Sequence, residues 1–366
     1  MPVWIDDPAA LSAHLLDPPA WVGMDTEFIR ERTYWPQLAL VQLAIGEQIL
    51  LIDPLAPGMA EALRPLLTNP DVLKVMHSAS EDLVALSHDC GVLPSPLFDT
   101  QIAAALCGIG GGMGYQKLVL ELTGVALAKG ETRSDWLRRP LSASQLEYAA
   151  DDVVHLGEFH RELAARLDAL GRRDWLDQDC ARMLANAADD QGDPWPHLSI
   201  RSAQYIEPPA QLRLLRLLRW RDRQARDSDK PRSWILDNEL AANLARMPPA
   251  DRQALQGQLD SHPKAPRKLG DAIWESLNTP LDDEDRAPLA RNATTEDKNT
   301  IKRLQDAVAA RGAELGLPDG LLASRRYLEL LQEAGQWPAA LSGWRREVLE
   351  PVLEPLLPAP VAHPLG

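Results

Sequence analysis

The sequence predicts an α/β domain with a mixed sheet, followed by two small all-α units. Three observations carry this. Strand-like runs come first and helices interleave later. Pro, Asp and Gly gather in NAADDQGDPWPHLS and IEPPA, near residues 186–210, as in a linker. Beyond that point the pattern is all-helical, with a second break in NTPLDDEDRAPLARNATTEDKNT. The expected boundaries are 1–185 for the α/β domain, 186–208 for the linker, and 209–285 and 298–366 for the helical units. A chain of 366 residues has room for two or three domains.

The strand-like runs are WVGMDTEF, LALVQLAIG and QILLIDP, separated by GE and DP as in a meander. A helix is expected over MAEALRPLLT, then a short strand over LKVMHS. SEDLVALSHDCG reads as a helix with Ser80 as N-cap and Gly91 just past its end. FDTQIAAALCG and GYQKLVLELTG read as two more helices, the second closed by Gly124. The intervening GIGGGMG does not follow a strand as GxGxxG and is read as a turn. From Ser144 to about Leu170 the pattern is that of one long helix. QLRLLRLLRWRDRQAR opens the helical region, and RSWILDNELAANLAR and PDGLLASRRYLELLQ look like matching capped helices in two diverged copies.

Hydrophobic content is 45%, enough for real cores. No apolar run approaches the ~18–20 residues that span a bilayer, and the N-terminus has acids and prolines where a signal peptide would have bases. A soluble, cytoplasmic protein is expected. Cys90, Cys107 and Cys180 show no CxxC pairing and read as buried thiols in a reducing compartment.

Net charge is −15, which taken alone argues against a polyanion ligand. The deficit lies wholly in residues 1–200, with 29 acids against 14 bases; residues 201–366 hold 24 of each. An acidic first half is compatible with a nucleic acid if the acids gather metal ions. Plain solubility explains many of these charges equally well.

Asp25 and Glu27 sit two apart in an otherwise buried strand, so they share a face. Either that face is wet or something positive lies between them. Asp82 lies near the start of the SEDLVALS helix. Asp152 lies in LEYAADDVVHL with Tyr148 one turn before it on the same helix face. Asp151 points ~100° away from Asp152. Four carboxylates and a phenol, brought by one strand and two helices, suit hard cations such as Mg²⁺ or Mn²⁺, which take oxygen ligands. Two such ions about 4 Å apart can clamp a phosphodiester, and a phenol can orient the attacking water. Taken one by one, each of these residues also fits an ordinary exposed edge or helix face.

MDTEF, HSASEDL, FDTQ and EYAADDV, in that order, resemble the exonuclease motifs of the DEDD superfamily. DTEFIRERTYWPQLALVQLA and SDWLRRPLSASQLEYAADDV are similar to the bacterial ribonuclease D family. The resemblance covers residues 20–170 and extends more loosely into the tail, where both helical units resemble HRDC domains. It implies a ribonuclease H-like mixed sheet and the DEDDy subtype, since Tyr148 stands four before the last acid. It also implies metal ligation by Asp25, Glu27, Asp82 and Asp152, with Tyr148 orienting water. Two divalent ions, Mg²⁺ or Mn²⁺, would serve each site.

The implied activity is 3′→5′ exoribonuclease action releasing nucleoside 5′-monophosphates, with tRNA precursors and small structured RNAs as partners. The five residues do not separate RNA from DNA. A DNA exonuclease and a non-catalytic RNA-binding protein are the alternatives. Phe28 is either a rest for the terminal nucleotide or core packing. Lys129, Arg133, Arg138 and Arg139 either steer phosphates or line a solvated loop anchored by Trp136. His77 reads as hydrogen-bonded structure, Asp53 as a strand-end turn and Asp99 as a cap. Arg213, Arg216, Arg219, Arg223 and Arg226 form a basic stripe that either holds an RNA backbone or faces solvent.

Overall fold

The computed structural model describes residues 1–127, 130–131, 134–189, 191–201 and 203–357. In chain order the first strands and helices are β1 (Val3–Ile5), α1 (Pro8–His14), β2 (Trp21–Ile29), β3 (Gln37–Ile45), β4 (Gln48–Ile52) and α2 (Met59–Thr68). Then come β5 (Leu73–Met76), α3 (Ser80–Cys90), β6 (Leu97–Asp99), α4 (Thr100–Leu106) and α5 (Tyr115–Thr123). They are followed by α6 (Ala143–Val154), α7 (Leu156–Leu170) and α8 (Arg173–Ala188). The six strands form one mixed sheet ordered β1-β4-β3-β2-β5-β6. β3 runs antiparallel to β2 and β4, while β1–β4, β2–β5 and β5–β6 are parallel. β3 is buried at every position from Leu38 to Ala44, so it reads as a continuous apolar run covered on both faces.

Several elements differ from the sequence reading, each for a local reason. Leu97–Asp99 is a strand, and the helix expected over FDTQIAAALCG begins only at Thr100. Asp99 caps that helix by accepting from the amides of Gln101 and Ile102. It also accepts from the Ala79 amide (2.8 Å), which secures the start of α3; Ser80 is the first helical residue, not its cap.

The helix expected from Ser144 to Leu170 is broken at His155. The Tyr115 hydroxyl donates to the Asp151 carbonyl (3.0 Å) and accepts from the His155 amide (3.2 Å). It thus occupies the place of the missing i→i−4 bond and bends the helix there. α6 itself starts on a capping box formed by Ser142 and Gln145. β1, α1 and α8 are further elements beyond the sequence reading.

The remaining helices are α9 (Pro208–Asp227), α10 (Arg232–Ile235), α11 (Asn238–Arg246), α12 (Arg252–Ser261), α13 (Gly270–Asn278), α14 (Thr295–Glu314), α15 (Arg325–Ala334) and α16 (Trp344–Leu353). The described chain forms two compact units. One comprises Met1–Ile29, Gln37–Ala188 and the chain from Thr294 onward. The other comprises Arg30–Pro36 and Asp189–Ala293.

In the first unit, α14–α16 share the core of the α/β fold: Leu304, Leu328, Trp344 and Leu349 belong to the same buried cluster as Val41, Leu83 and Phe159. The Trp344 ring stacks on Trp175 of α8 (4.3 Å), and its indole N–H donates to the buried Asp179 carboxylate (3.0 Å). Arg345 closes the same carboxylate with two bonds. The second unit has its own core, built from residues such as Leu214, Leu218, Leu244, Leu259 and Ile273. Among the described residues, no helix is long and apolar enough to cross a membrane.

Candidate active site

β2 carries Asp25 and Glu27 on the sheet face that α6 covers, and α6 brings Asp152 and Tyr148. Carboxylate oxygens of Asp25, Glu27 and Asp152 all lie within 4.8 Å of one another. Asp82, in the first turn of α3, is buried and accepts from the Thr26 hydroxyl (2.5 Å). Thr26 points to the opposite strand face from Asp25, so Asp82 is held at the rim of the cluster, close enough to act electrostatically on Asp25 and Glu27. The strand pairing shifts between Glu27 and Phe28, where a bulge re-aims the end of β2.

The electrostatics follow from acids buried beside one another. Burial raises Asp25 well above the usual carboxylate range, and Asp82, Asp152 and Glu27 raise it further. Burial, then Asp152 and Asp82, push Glu27 up to about 8. Burial lifts Asp82 to about 7 against the lowering bond from Thr26. Asp152 rises to about 6 by burial, opposed by a hydrogen bond from Tyr148. The Tyr148 phenol is itself raised, first by burial and then by Asp152 and Glu27, so it keeps its proton at neutral pH.

A set of converging oxygen donors whose charges repel is the donor chemistry of a hard divalent cation. The residues therefore fit such a metal, which would supply the missing positive charge.

Tyr148 is held from several sides. The buried Trp136 ring lies 6.1 Å from it. The Gly130 backbone comes so close that an added Cβ would fall 1.7 Å from Tyr148 Cε2; only glycine fits there. Trp136 is fixed in turn by Arg139, which donates to the Trp136 carbonyl, to the Ala39 carbonyl, and to both oxygens of Asp53. Arg139 is thus a structural clamp for this loop, neither a phosphate guide nor a solvated side chain. Arg138 is exposed. Lys129 and Arg133 lie outside the described residues.

Phe28 is half-buried and packs against the main core. His77 is bonded through Nδ1 to the Thr100 hydroxyl and through Nε2 to the Met113 carbonyl, with burial lowering its pKa. It anchors the glycine-rich turn. Thr26, Tyr115 and Gly130 escaped the sequence reading. Their partners lie far away in the chain, and a threonine, a tyrosine and a glycine carry no chemical signal of their own.

The basic stripe of α9 is spoken for inside its own unit. Arg213 donates to the Ala245 carbonyl, Arg216 to Glu284, Arg219 to Asp283 and the Pro194 carbonyl, and Arg226 to Asp222 and Tyr34. Arg223 remains exposed. Apart from Arg223, the stripe is a set of ties to α11 and to the loops packed beside α9, and not an outward-facing basic surface.

Comparison with known proteins agrees with this architecture. A 3′-5′ exonuclease family model matches residues 2–168, and an HRDC domain model matches residues 211–277. A ribonuclease D from Xanthomonas oryzae pv. oryzae is 66% identical over 360 residues, covering 98% of this chain and 99% of the relative. A ribonuclease D from Pseudomonas paraeruginosa is 37% identical, covering 94% of each chain. The crystal structure of Escherichia coli RNase D, described as an exoribonuclease involved in structured RNA processing, superposes with a TM-score of 0.83. It is 30% identical and the match covers 97% of this chain and 98% of that one. The chain belongs to the ribonuclease D family and is a 3′→5′ exoribonuclease.

Proposed function

We propose that Asp25, Glu27, Asp82 and Asp152 hold two divalent ions, Mg²⁺ or Mn²⁺, at which the terminal RNA phosphodiester is hydrolysed to release a nucleoside 5′-monophosphate. The observation that carries this is the convergence of Asp25, Glu27 and Asp152 within 4.8 Å, where burial and the neighbouring acids raise Asp25 and Glu27. When bound, such ions lower the pKa of a water and neutralise charge on the leaving oxygen. The chain's own residues do the rest. Tyr148, protonated and pinned by Trp136 and Gly130, positions the attacking water through its hydroxyl. Asp82, tied to Thr26, completes the cluster from the α3 side.

The substrates in this reading are tRNA precursors with 3′ extensions and other small structured RNAs, met in the cytoplasm. The HRDC domain grips the RNA body while the 3′ end reaches β2. The domain assignment that goes with it is an exonuclease domain over 1–185, a linker, and HRDC-like units over 209–285 and 298–366.

The test is an assay on tRNA carrying a 3′ extension, with EDTA and with Mg²⁺ or Mn²⁺ restored, beside a DNA strand of matched sequence. Loss of mononucleotide release in EDTA and its return with metal are expected. Equal degradation of the DNA would favour a DNA exonuclease, and binding without any release would favour an RNA-binding protein. Metal-independent release would defeat the metal reading.

A further inference from the structure

Gln42 lies in the middle of β3, directly opposite Asp25 in the antiparallel pair. Opposed residues in such a pair share a face, with Cβ atoms about 4.5–5.5 Å apart. On β4 its partner is Leu51, and the buried cluster on this side of the sheet holds Leu40, Leu51 and Ala149. Gln42 is fully buried, yet neither its Oε1 nor its Nε2 has a hydrogen-bond partner. Both ends of a buried amide left idle weaken a fold. An aliphatic residue would complete the apolar strand Leu38–Ala44 without that burden. The residue directly opposed to it, Asp25, carries acceptor oxygens, with Glu27 on the diagonal of the same face.

We propose that Gln42 is a positioning residue for the metal site: its amide N–H donates to the Asp25 carboxylate and holds it turned toward Glu27 and Asp152. With a cation held by the acidic cluster, the Asp25 carboxylate would supply the acceptor that the Gln42 amide lacks. Partners that orient a metal ligand in this way typically change metal affinity about 10–100-fold when removed. The inference rests on the reading of these carboxylates as metal ligands.

The experiment uses the full-length chain, Gln42→Met and Asp25→Asn. Mn²⁺ binding is measured by calorimetry and thermal stability is measured in EDTA. Methionine keeps the length of the side chain and removes the amide. Gln42→Met is expected to weaken Mn²⁺ binding about tenfold or more, with Tm in EDTA unchanged or raised, since an unpaired buried group has been removed. Unchanged Mn²⁺ affinity overturns the inference. So does a marked fall in Tm, or failure to fold, because the amide would then serve the fold. Asp25→Asn separates the two levels. If it abolishes Mn²⁺ binding while Gln42→Met does not, only the role of Gln42 fails. If it leaves Mn²⁺ binding intact, the metal-ligand reading fails with it.

Discussion

Carboxylates do opposite things in two parts of this protein. Around β2 and α6, Asp25, Glu27, Asp82 and Asp152 are drawn together, and burial raises all four. Beside α9, Glu284 and Asp283 are held below the usual range by hydrogen bonds from Arg216 and Arg219. The first arrangement costs the metal-free fold stability, and the second contributes to it. Acids kept where they burden the fold are the candidates for holding a ligand, whereas acids paired within their own unit belong to the architecture.

The largest expected effect comes from removing an unpaired acid. Asp25→Asn should lower RNA hydrolysis by about a thousandfold or more, since several kcal/mol of transition-state stabilisation go with a metal ligand. In EDTA at pH 8 its Tm should rise, because the cost of burying that carboxyl beside three other acids is gone. A fall in both activity and Tm would place Asp25 with the structural acids. Next is Tyr148→Phe, which should slow turnover about a hundredfold while Mn²⁺ binding persists. An unchanged rate would leave the phenol as packing beside Trp136 and Gly130.

A paired acid should behave in the opposite sense. Glu284→Gln should leave hydrolysis of short single strands intact and destabilise the second unit by about 1–2 kcal/mol, as Arg216 loses a charge-assisted bond. Chemical denaturation would read this.

The smallest effect is a contrast in pH dependence. Glu27 is raised, so its contribution is full below its unfolded value of 4.5 and is lost as pH rises through about 8. Glu284 is depressed, so its contribution is present above the unfolded value and lost as pH falls through the lower folded one. Without metal, amide exchange in β2 should quicken from pH 5 to pH 8 once intrinsic rates are corrected. In α9 it should quicken only on acidification. Parallel behaviour of the two would erase the distinction.

Much of the candidate site's geometry is legible in the residues. The period of two in β2 puts Asp25 and Glu27 together, and the one-turn spacing of Tyr148 and Asp152 puts both on one face of α6. The order of motifs then gave the family. The α9 arginines show the limit of such reading. Their spacing reveals a basic stripe, yet a spacing says nothing of the loops at Pro194 and Asp283–Glu284 that cover it. The helix break at His155 is hidden in the same way, since it depends on a hydroxyl arriving from Tyr115.

The two helical tail segments look alike in sequence, each led by a 20-residue helix. One encloses its own core and the other completes the core of the α/β fold. Sequence determined strands β2 to β5, many of the helices and the side-chain chemistry of the five candidate site residues, because those follow from periodicity and side-chain type within a short window. Tertiary structure alone decided which charges are paired and which face each other bare. Solvation and Coulomb energies depend on distances between residues far apart in the chain, and no local pattern encodes those distances.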